Sequence, residues 1–217
     1  MAKRIRIGVL VSGRGSNLQA IIDNIGNGSL AAEIAVVISD QPDAFTLEHA
    51  RKHSIPAVHI SAKGYRGRRE EYDALLVQEL RKHSVDLVIL AGFMRIISKV
   101  LVQAYPHRMM NIHPALLPSF PGLHVQKAAI EHGVKFSGCT VHFVDEGMDT
   151  GPVIIQAVVP VLDGDTEDVL ASRILKQEHK LFSRAIRLFA EGKLKVVGRR
   201  VLVDGGRTES DEFLINP

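Results

Sequence analysis

Asn111-Ile112-His113-Pro114 sets an amide and an imidazole two residues apart in a run, Met109 to His113, that reads as a buried strand. Strand side chains alternate between faces, so Asn111 and His113 project together while Met110 and Ile112 project the other way. A carboxamide can donate to an oxygen that is gaining charge, and an imidazole can carry a proton near neutral pH. Pro114 has no backbone N–H and ends the strand, where sites open in parallel sheets. A polar pair that only caps a strand would show the same four residues, so the chemistry needs further partners.

Three other segments offer them. Ser12-Gly13-Arg14-Gly15-Ser16-Asn17-Leu18 follows the first apolar run and resembles a phosphate loop. It lacks the third glycine of the dinucleotide fingerprint and the Lys-Ser/Thr pair of the mononucleotide loop, so NAD and ATP are poorly supported. Its glycines let the backbone approach a ligand, Ser16 and Asn17 read as helix caps, and free N–H groups at a helix start attract an anion such as a phosphate monoester. A plain capped turn has the same composition. Asp145-Glu146-Gly147-Met148-Asp149-Thr150-Gly151-Pro152 reads as a turn between two strands, with Asp149 set among glycines. Brought beside His113, its carboxylate would favour the imidazolium and fix which ring nitrogen bears the proton. Glu178 falls inside an apolar helical stripe of Ala171, Ile174, Leu175, Leu181, Phe182 and Ala185. A carboxylate there either pairs with an arginine or receives a ligand's N–H or hydroxyl groups.

The elements that must position these groups follow from periodicity. Ile5 to Val11, Ile34 to Ser39, Ala57 to Ile60, Asp86 to Ala91 and Met109 to His113 read as strands, alternating with helical spacing over Asn17 to Ile25, Ala44 to His53, Arg68 to His83 and Ser98 to Tyr105. That alternation predicts an α/β, doubly wound, mostly parallel sheet. The second half predicts antiparallel strands at Cys139 to Val144 and Val153 to Val161, and a long helix from about Thr166 to Glu191, started by Asp165 or Thr166. A last hairpin is expected over Lys195 to Val203. The expected organisation is a single domain over 1–204, with a phosphate-binding half at 1–108 and a catalytic half at 109–204, followed by a flexible tail over 205–217.

Composition narrows the class. The chain has 217 residues, 46% of them hydrophobic, a net charge of +3 and one cysteine. One substantial core is expected. The weak basic excess suits an anionic small molecule better than a nucleic-acid groove. Cys139 alone excludes an internal disulfide or a CxxC metal knuckle and reads as a core thiol in a reducing compartment. Neither a signal peptide nor a bilayer-spanning run is evident, so a cytoplasmic protein away from membranes is expected.

The ordered set Ser12-Gly13-x-Gly15-Ser16-Asn17, Ala91-Gly92-Phe93-Met94-Arg95-Ile96, Asn111-Ile112-His113-Pro114-Ala115-Leu116-Leu117-Pro118 with Pro121-Gly122-Leu123-His124, Asp149-x-Gly151-Pro152 and Gln177-Glu178-His179 closely resembles the phosphoribosylglycinamide formyltransferase family, over about Ile5 to Val203. The resemblance implies the Rossmann-like formyltransferase fold. It also implies transfer of a formyl group from 10-formyltetrahydrofolate to the primary amine of glycinamide ribonucleotide, in de novo purine synthesis. The formyl folate is then a cosubstrate, with no tightly bound cofactor and no metal, and the protein a monomer or homodimer.

Carried over by position, the family's catalytic residues fall on Asn111, His113 and Asp149. The ribonucleotide phosphate falls on Gly15, Ser16 and Asn17, and its ribose or amine end on Glu178. The folate falls on Met94, Arg95, Ile96 and Ile97, with Asn111 and the loop of Asp145, Glu146, Gly147, Met148 and Asp149 around the pterin and Arg69 near the glutamate tail. Met94, Ile96 and Ile97 as plain core, and the Arg66 to Arg69 run as a solvated charged face, stay open beside that. Two relatives with the same chemistry fit less well. The formyltetrahydrofolate deformylase normally carries an extra N-terminal regulatory domain, whereas this chain begins at the first core strand. The methionyl-tRNA formyltransferase adds a C-terminal domain and differs after Leu-Leu-Pro. A non-catalytic nucleotide sensor would have no use for Asn111, His113 and Asp149 together.

Overall fold

All four residues of Leu87-Val88-Ile89-Leu90 are buried, because helices cover both faces of the strand they form. The computed structural model describes residues 4–13 and 15–205, and the tail expected beyond Gly205 lies outside the described residues. In chain order the first half runs β1 (Ile5–Val11), α1 (Ser16–Gly26), β2 (Ala32–Ser39), α2 (Phe45–Lys52), β3 (Ala57–His59), α3 (Arg69–Lys82), β4 (Leu87–Leu90), α4 (Lys99–Ala104) and β5 (Met109–His113). The second half adds α5 (Val125–Glu131), β6 (Phe136–Phe143), β7 (Val153–Pro160), α6 (Glu167–Ala190), β8 (Leu194–Val197) and β9 (Arg200–Val203).

These strands form one sheet in the order β3-β2-β1-β4-β5-β6-β7-β9-β8. The pairs from β3 to β5 are parallel, and β5-β6 and β6-β7 are antiparallel. The chain builds outward from β1 to β3, then returns to place β4 on the other side of β1, so the order reverses between β1 and β4. Ligand crevices form beyond the strand ends at such a reversal. One apolar core packs Ile7, Val9, Ile89, Met110 and Ile112 with residues of α1, α2 and α6, and a second packs Leu10, Ile38, Val88 and Met109 with α3 and α4. Cys139 is a free, buried thiol in the first.

The doubly wound sheet with antiparallel strands in its second half matches the expectation. β2 starts at Ala32, because Ala32 pairs with Ile5 ahead of the purely apolar run. β6 starts at Phe136, because β7 pairs with it from Phe136 onward. The sequence reading did not include α5, which follows His124 in a left-handed conformation (φ 55°) without a side-chain cap. β9 joins the sheet through one parallel pair, Val153 with Arg200.

α6 carries Glu178, so its placement matters most. Thr166 is its N-cap and accepts from the Val169 N–H at 3.4 Å, while Glu167 and Asp168 sit at the positive end of the helix dipole. Asp165 instead accepts from both terminal guanidinium nitrogens of Arg173, at 2.5 and 2.8 Å, and Arg173 also donates to the Pro160 carbonyl. That clamp ties the helix start to the end of β7, and the guanidinium holds the Asp165 carboxyl below its usual range. Leu170, Ile174, Leu181, Phe182, Ala185 and Ile186 are buried. The stripe is rotated from the expected one: Ala171 and Leu175 are only half-buried, and Leu170 and Ile186 join the buried face.

Phe182 is 1% exposed in this core. Phe182→Ala is expected to cost about 3–5 kcal/mol of stability, the usual range for an emptied aromatic site. The solvent-facing Lys180→Ala should stay within about 0.5 kcal/mol. Urea unfolding of both variants checks this, and equal midpoints would show that α6 does not bury this face.

Candidate active site

Gly15 is the N-cap of α1, with φ 79° and no side-chain capping bond, and Ser16 is the first helical residue. The expectation that Ser16 and Asn17 cap the helix is therefore corrected. The first backbone bond within the helix is Gln19 N–H to the Gly15 carbonyl, at 2.9 Å. An N-terminus capped by glycine keeps the leading N–H groups directed outward, and the helix dipole adds positive potential there. A side chain at Gly15 would collide with the Thr46 methyl group, whose hydroxyl donates to the Gly13 carbonyl at 2.9 Å. Thr46 thus holds this loop against α2.

Asn17 and Glu178, 161 residues apart, meet in a 2.8 Å hydrogen bond from Asn17 Nδ2 to Glu178 Oε2. Glu178 is 7% exposed, and burial raises its pKa above the ordinary carboxyl value, partly offset by that bond. Asn17 Oδ1 is buried without a hydrogen-bond partner. One cluster therefore offers outward helix N–H groups, an unused acceptor and a carboxyl, a set suited to a phosphate monoester that also carries hydroxyl or amine groups.

The second cluster forms where β5 meets the loop between β6 and β7. Asp149 adopts a left-handed φ of 56°, uncommon outside glycine but tolerated by Asp. Next to it, Gly151 lies so close to the Phe143 carbonyl that any side chain would collide with it. This tight turn brings the Asp149 carboxylate over the strand end. Its Oδ2 accepts from the Gly122 N–H at 3.0 Å and lies 3.5 Å from His113 Nδ1, and its Oδ1 lies 3.4 Å from Asn111 Nδ2. The expected convergence of Asn111, His113 and Asp149 is present. Asp145 Oδ1 accepts from the Gly147 N–H and the Thr150 hydroxyl, so Asp145 shapes the turn itself.

Both nitrogens of His113 face oxygens. Nε2 lies 2.8 Å from the Phe120 carbonyl, which only accepts, so that nitrogen carries a proton. The loop after Pro114 thus contacts two members of the cluster, His113 through Phe120 and Asp149 through Gly122. For His113 to reach a substrate through Nε2, the Phe120 carbonyl must give way. Sequence reasoning missed three participants: these two backbone groups, and His142, whose Nε2 is 3.2 Å from Asn111 Nδ2. No motif flags a backbone carbonyl or N–H, and His142 looks like an ordinary interior position of an apolar strand.

The segment after β4 lies beside the phosphate loop. Ser12 N–H donates to the Gly92 carbonyl at 3.1 Å, and the Met94 N–H donates to Ser12 Oγ at 3.0 Å. Met94 and Ile96 are 70% and 54% exposed, which removes the plain-core alternative for both. Ile97 is buried in the α3-α4 core, so its side chain packs there. Arg95 stacks on Tyr72, 4.8 Å from the ring centroid. Asp73, buried and raised in pKa by that burial, accepts from the Ser98 N–H at 2.5 Å and so anchors the far end of the segment. Arg69 is exposed at the start of α3, where its charge offsets part of that rise in the Asp73 pKa.

The formyl transferase family description matches residues 5–186. The chain belongs to the formyl transferase family. Phosphoribosylglycinamide formyltransferase of Escherichia coli (strain K12) is 45% identical over 203 residues, 94% of this chain and 95% of that protein. The crystal structure of glycinamide ribonucleotide transformylase 1 from Symbiobacterium toebii superposes with a TM-score of 0.90 at 53% identity, covering 92% of this chain and 94% of that one. The trifunctional purine biosynthetic protein adenosine-3 of Drosophila melanogaster is 50% identical over 192 residues, which are 88% of this chain but only 14% of that protein. A formyltetrahydrofolate deformylase from Pseudomonas syringae shares the fold (TM-score 0.87) at 29% identity, and the match covers 66% of its chain. Among the described residues of this formyl transferase, no three His, Cys, Asp or Glu side chains gather as a metal site, and no helix is long and apolar enough to cross a membrane.

The helix start of this formyl transferase can be tested directly. Gly15→Ala forces a left-handed alanine, at roughly 1–2 kcal/mol, and drives its methyl into Thr46. We expect affinity for ribose 5-phosphate to fall at least about tenfold by calorimetry. Gly13→Ala meets nothing within 4 Å and should bind normally. Equal affinities in the two variants would remove this loop from the anion site.

Proposed function

We propose that this chain transfers the formyl group of 10-formyltetrahydrofolate to the primary amine of N1-(5-phosphoribosyl)glycinamide, giving the formylglycinamide ribonucleotide and tetrahydrofolate in purine biosynthesis. The observation that carries this reading is the convergence of Asn111, His113 and Asp149 from two separate chain segments. The 45% identity to a formyltransferase of nearly the same extent supports it. Both ligands are small molecules, and the formyl folate acts as a cosubstrate, with no tightly bound cofactor. A cytoplasmic location accords with this metabolic role.

In this reading the ribonucleotide phosphate sits on the N–H groups at Gly15, Ser16 and Asn17, where the glycine cap leaves donors and positive potential. Glu178 and the unused Asn17 Oδ1 receive the ribose hydroxyls or the amine end. The folate lies against the exposed Met94 and Ile96 and beside Arg95, with its pterin near the loop of Asp145, Glu146, Gly147, Met148 and Asp149 and its glutamate tail toward Arg69. Met148 is 55% exposed and so offers apolar surface on that side.

The amine nitrogen attacks the formyl carbon, and the carbonyl oxygen gathers charge as the tetrahedral intermediate forms. Asn111 Nδ2 donates to that oxygen, exchanging its long 3.4 Å contact with Asp149 for a better acceptor. Removing such a donor typically costs about 2.7–4 kcal/mol of transition-state stabilisation. As the bond from the formyl carbon to folate N10 breaks, one proton leaves the attacking nitrogen and one reaches N10. Asp149 and His113 relay it, directly or through water, once Phe120 releases the imidazole. A positioned acid or base contributes roughly 10² to 10⁴ in rate. These effects do not add, because all three groups act on one intermediate.

Folate release from 10-formyltetrahydrofolate, followed with and without the ribonucleotide, tests the reading. Release that requires the ribonucleotide supports transfer, and release without it supports the hydrolase. Asp149→Asn is expected to cut turnover by about 10³ or more while ribonucleotide affinity stays within a few-fold. Lost affinity at unchanged turnover would refute its role. Glu178→Ala should weaken ribonucleotide binding by about tenfold or more, as expected for a lost buried hydrogen-bonding partner. Normal binding by calorimetry would take Glu178 out of the site.

A further inference from the structure

His142 pairs with Asn111 across the antiparallel β5-β6 ladder and is 2% exposed. Its Nδ1 lies 2.9 Å from the Phe143 carbonyl, which can only accept, so Nδ1 carries the ring proton and Nε2 presents a lone pair. That lone pair faces Asn111 Nδ2 at 3.2 Å. If the Asn111 amide turned over, its carbonyl oxygen would face the same lone pair, two acceptors in contact with no proton between them. The ring therefore dictates which way the amide points. With one N–H on His142, the other is aimed at Asp149 Oδ1, and at 3.4 Å it is the weakly held one.

We propose that His142 is a positioning residue: its neutral Nε2 locks the Asn111 amide so that the remaining N–H points at the carbonyl oxygen undergoing attack. This rests on Asn111 being the donor to that oxygen. The lock needs a neutral ring. The charged or titratable groups facing His142 are Asp149, with Oδ1 3.8 Å from Nε2, together with Asp145 and His113. The two carboxylates favour the imidazolium, whereas burial, the largest influence, and His113 oppose it, and the balance holds the His142 pKa below its ordinary value. On protonation Nε2 becomes a donor, the Asn111 amide turns its oxygen toward it, and the N–H is withdrawn from the reacting carbonyl. Activity thus falls on the acid side as His142 takes up a proton.

The test uses the full chain with formyl folate and ribonucleotide, in a cycle of His142→Leu, Asn111→Ala and the double variant, with His142→Gln as the conservative replacement. His142→Leu is expected to lower kcat by about 10² or more, the scale of a misplaced oxyanion donor, with both KM values within a few-fold. In the Asn111→Ala background the same change should add less than about twofold, since a residue acting only through Asn111 has nothing left to position. His142→Gln keeps an acceptor that does not titrate, so it should recover most of kcat and lose the acid-side fall. Full activity in Asn111→Ala alone would overturn the donor assignment. A full further loss from His142→Leu in that background would overturn the positioning role and leave the donor assignment standing. Equal losses in the Leu and Gln variants would also overturn it.

Discussion

The cluster at the end of β5 is organised around one carboxylate held where the backbone would not normally put it. Asp149 occupies a left-handed conformation, and its oxygens meet groups from the strand below and from the loop after Pro114. Such conformations cost energy and persist only where the surroundings over-determine them. Here the surroundings are the closed turn built by Asp145 and Thr150 and the near contact of Gly151 with the Phe143 carbonyl. A looser turn would leave the histidine and the asparagine at the strand end without the carboxylate they share.

The same logic applies at the other cluster, in a different material. A helix start usually fills its orphan N–H groups with a Ser, Thr, Asp or Asn side chain, whereas here glycine stands at the cap and Thr46 props the loop from outside. Glu178 sits against an apolar face with a raised pKa, a cost that α6 offsets by burying Phe182 and its neighbours. Stability is supplied by the body of the helix and relinquished at one position along it.

What was legible in the sequence follows from which signals are local. The strand over Met109–His113 was readable because its apolar run ends at a proline, and β1 because it ends at the first serine and glycine. Asn111, His113 and Asp149 were readable as types, and their convergence was inferred through a family resemblance and is found in the fold. The cap of α1 was misread because Ser16 and Asn17 are the commonest capping types, and only the backbone reveals that Gly15 holds that place. The difference between Met94 and Ile96, which face outward, and Ile97, which faces inward, was hidden because all three are apolar and exposure alternates along that segment. His142 was invisible because its role depends on the register that pairs it with Asn111, and one chain does not display strand register. The short helix at Val125–Glu131 was hidden for want of a side-chain cap.

Ser12 joins the loop before α1 to the segment after β4: its N–H donates to the Gly92 carbonyl and its hydroxyl accepts from the Met94 N–H. The seam makes the loop before α1 and the loop that carries Met94 one mechanical unit. A molecule that stiffens either loop spares the next arrival part of its ordering entropy, and thermodynamic reciprocity makes that assistance equal in both directions. Two loops assigned to different guests in the proposed reaction are thereby tied through one residue, with no moving domain required.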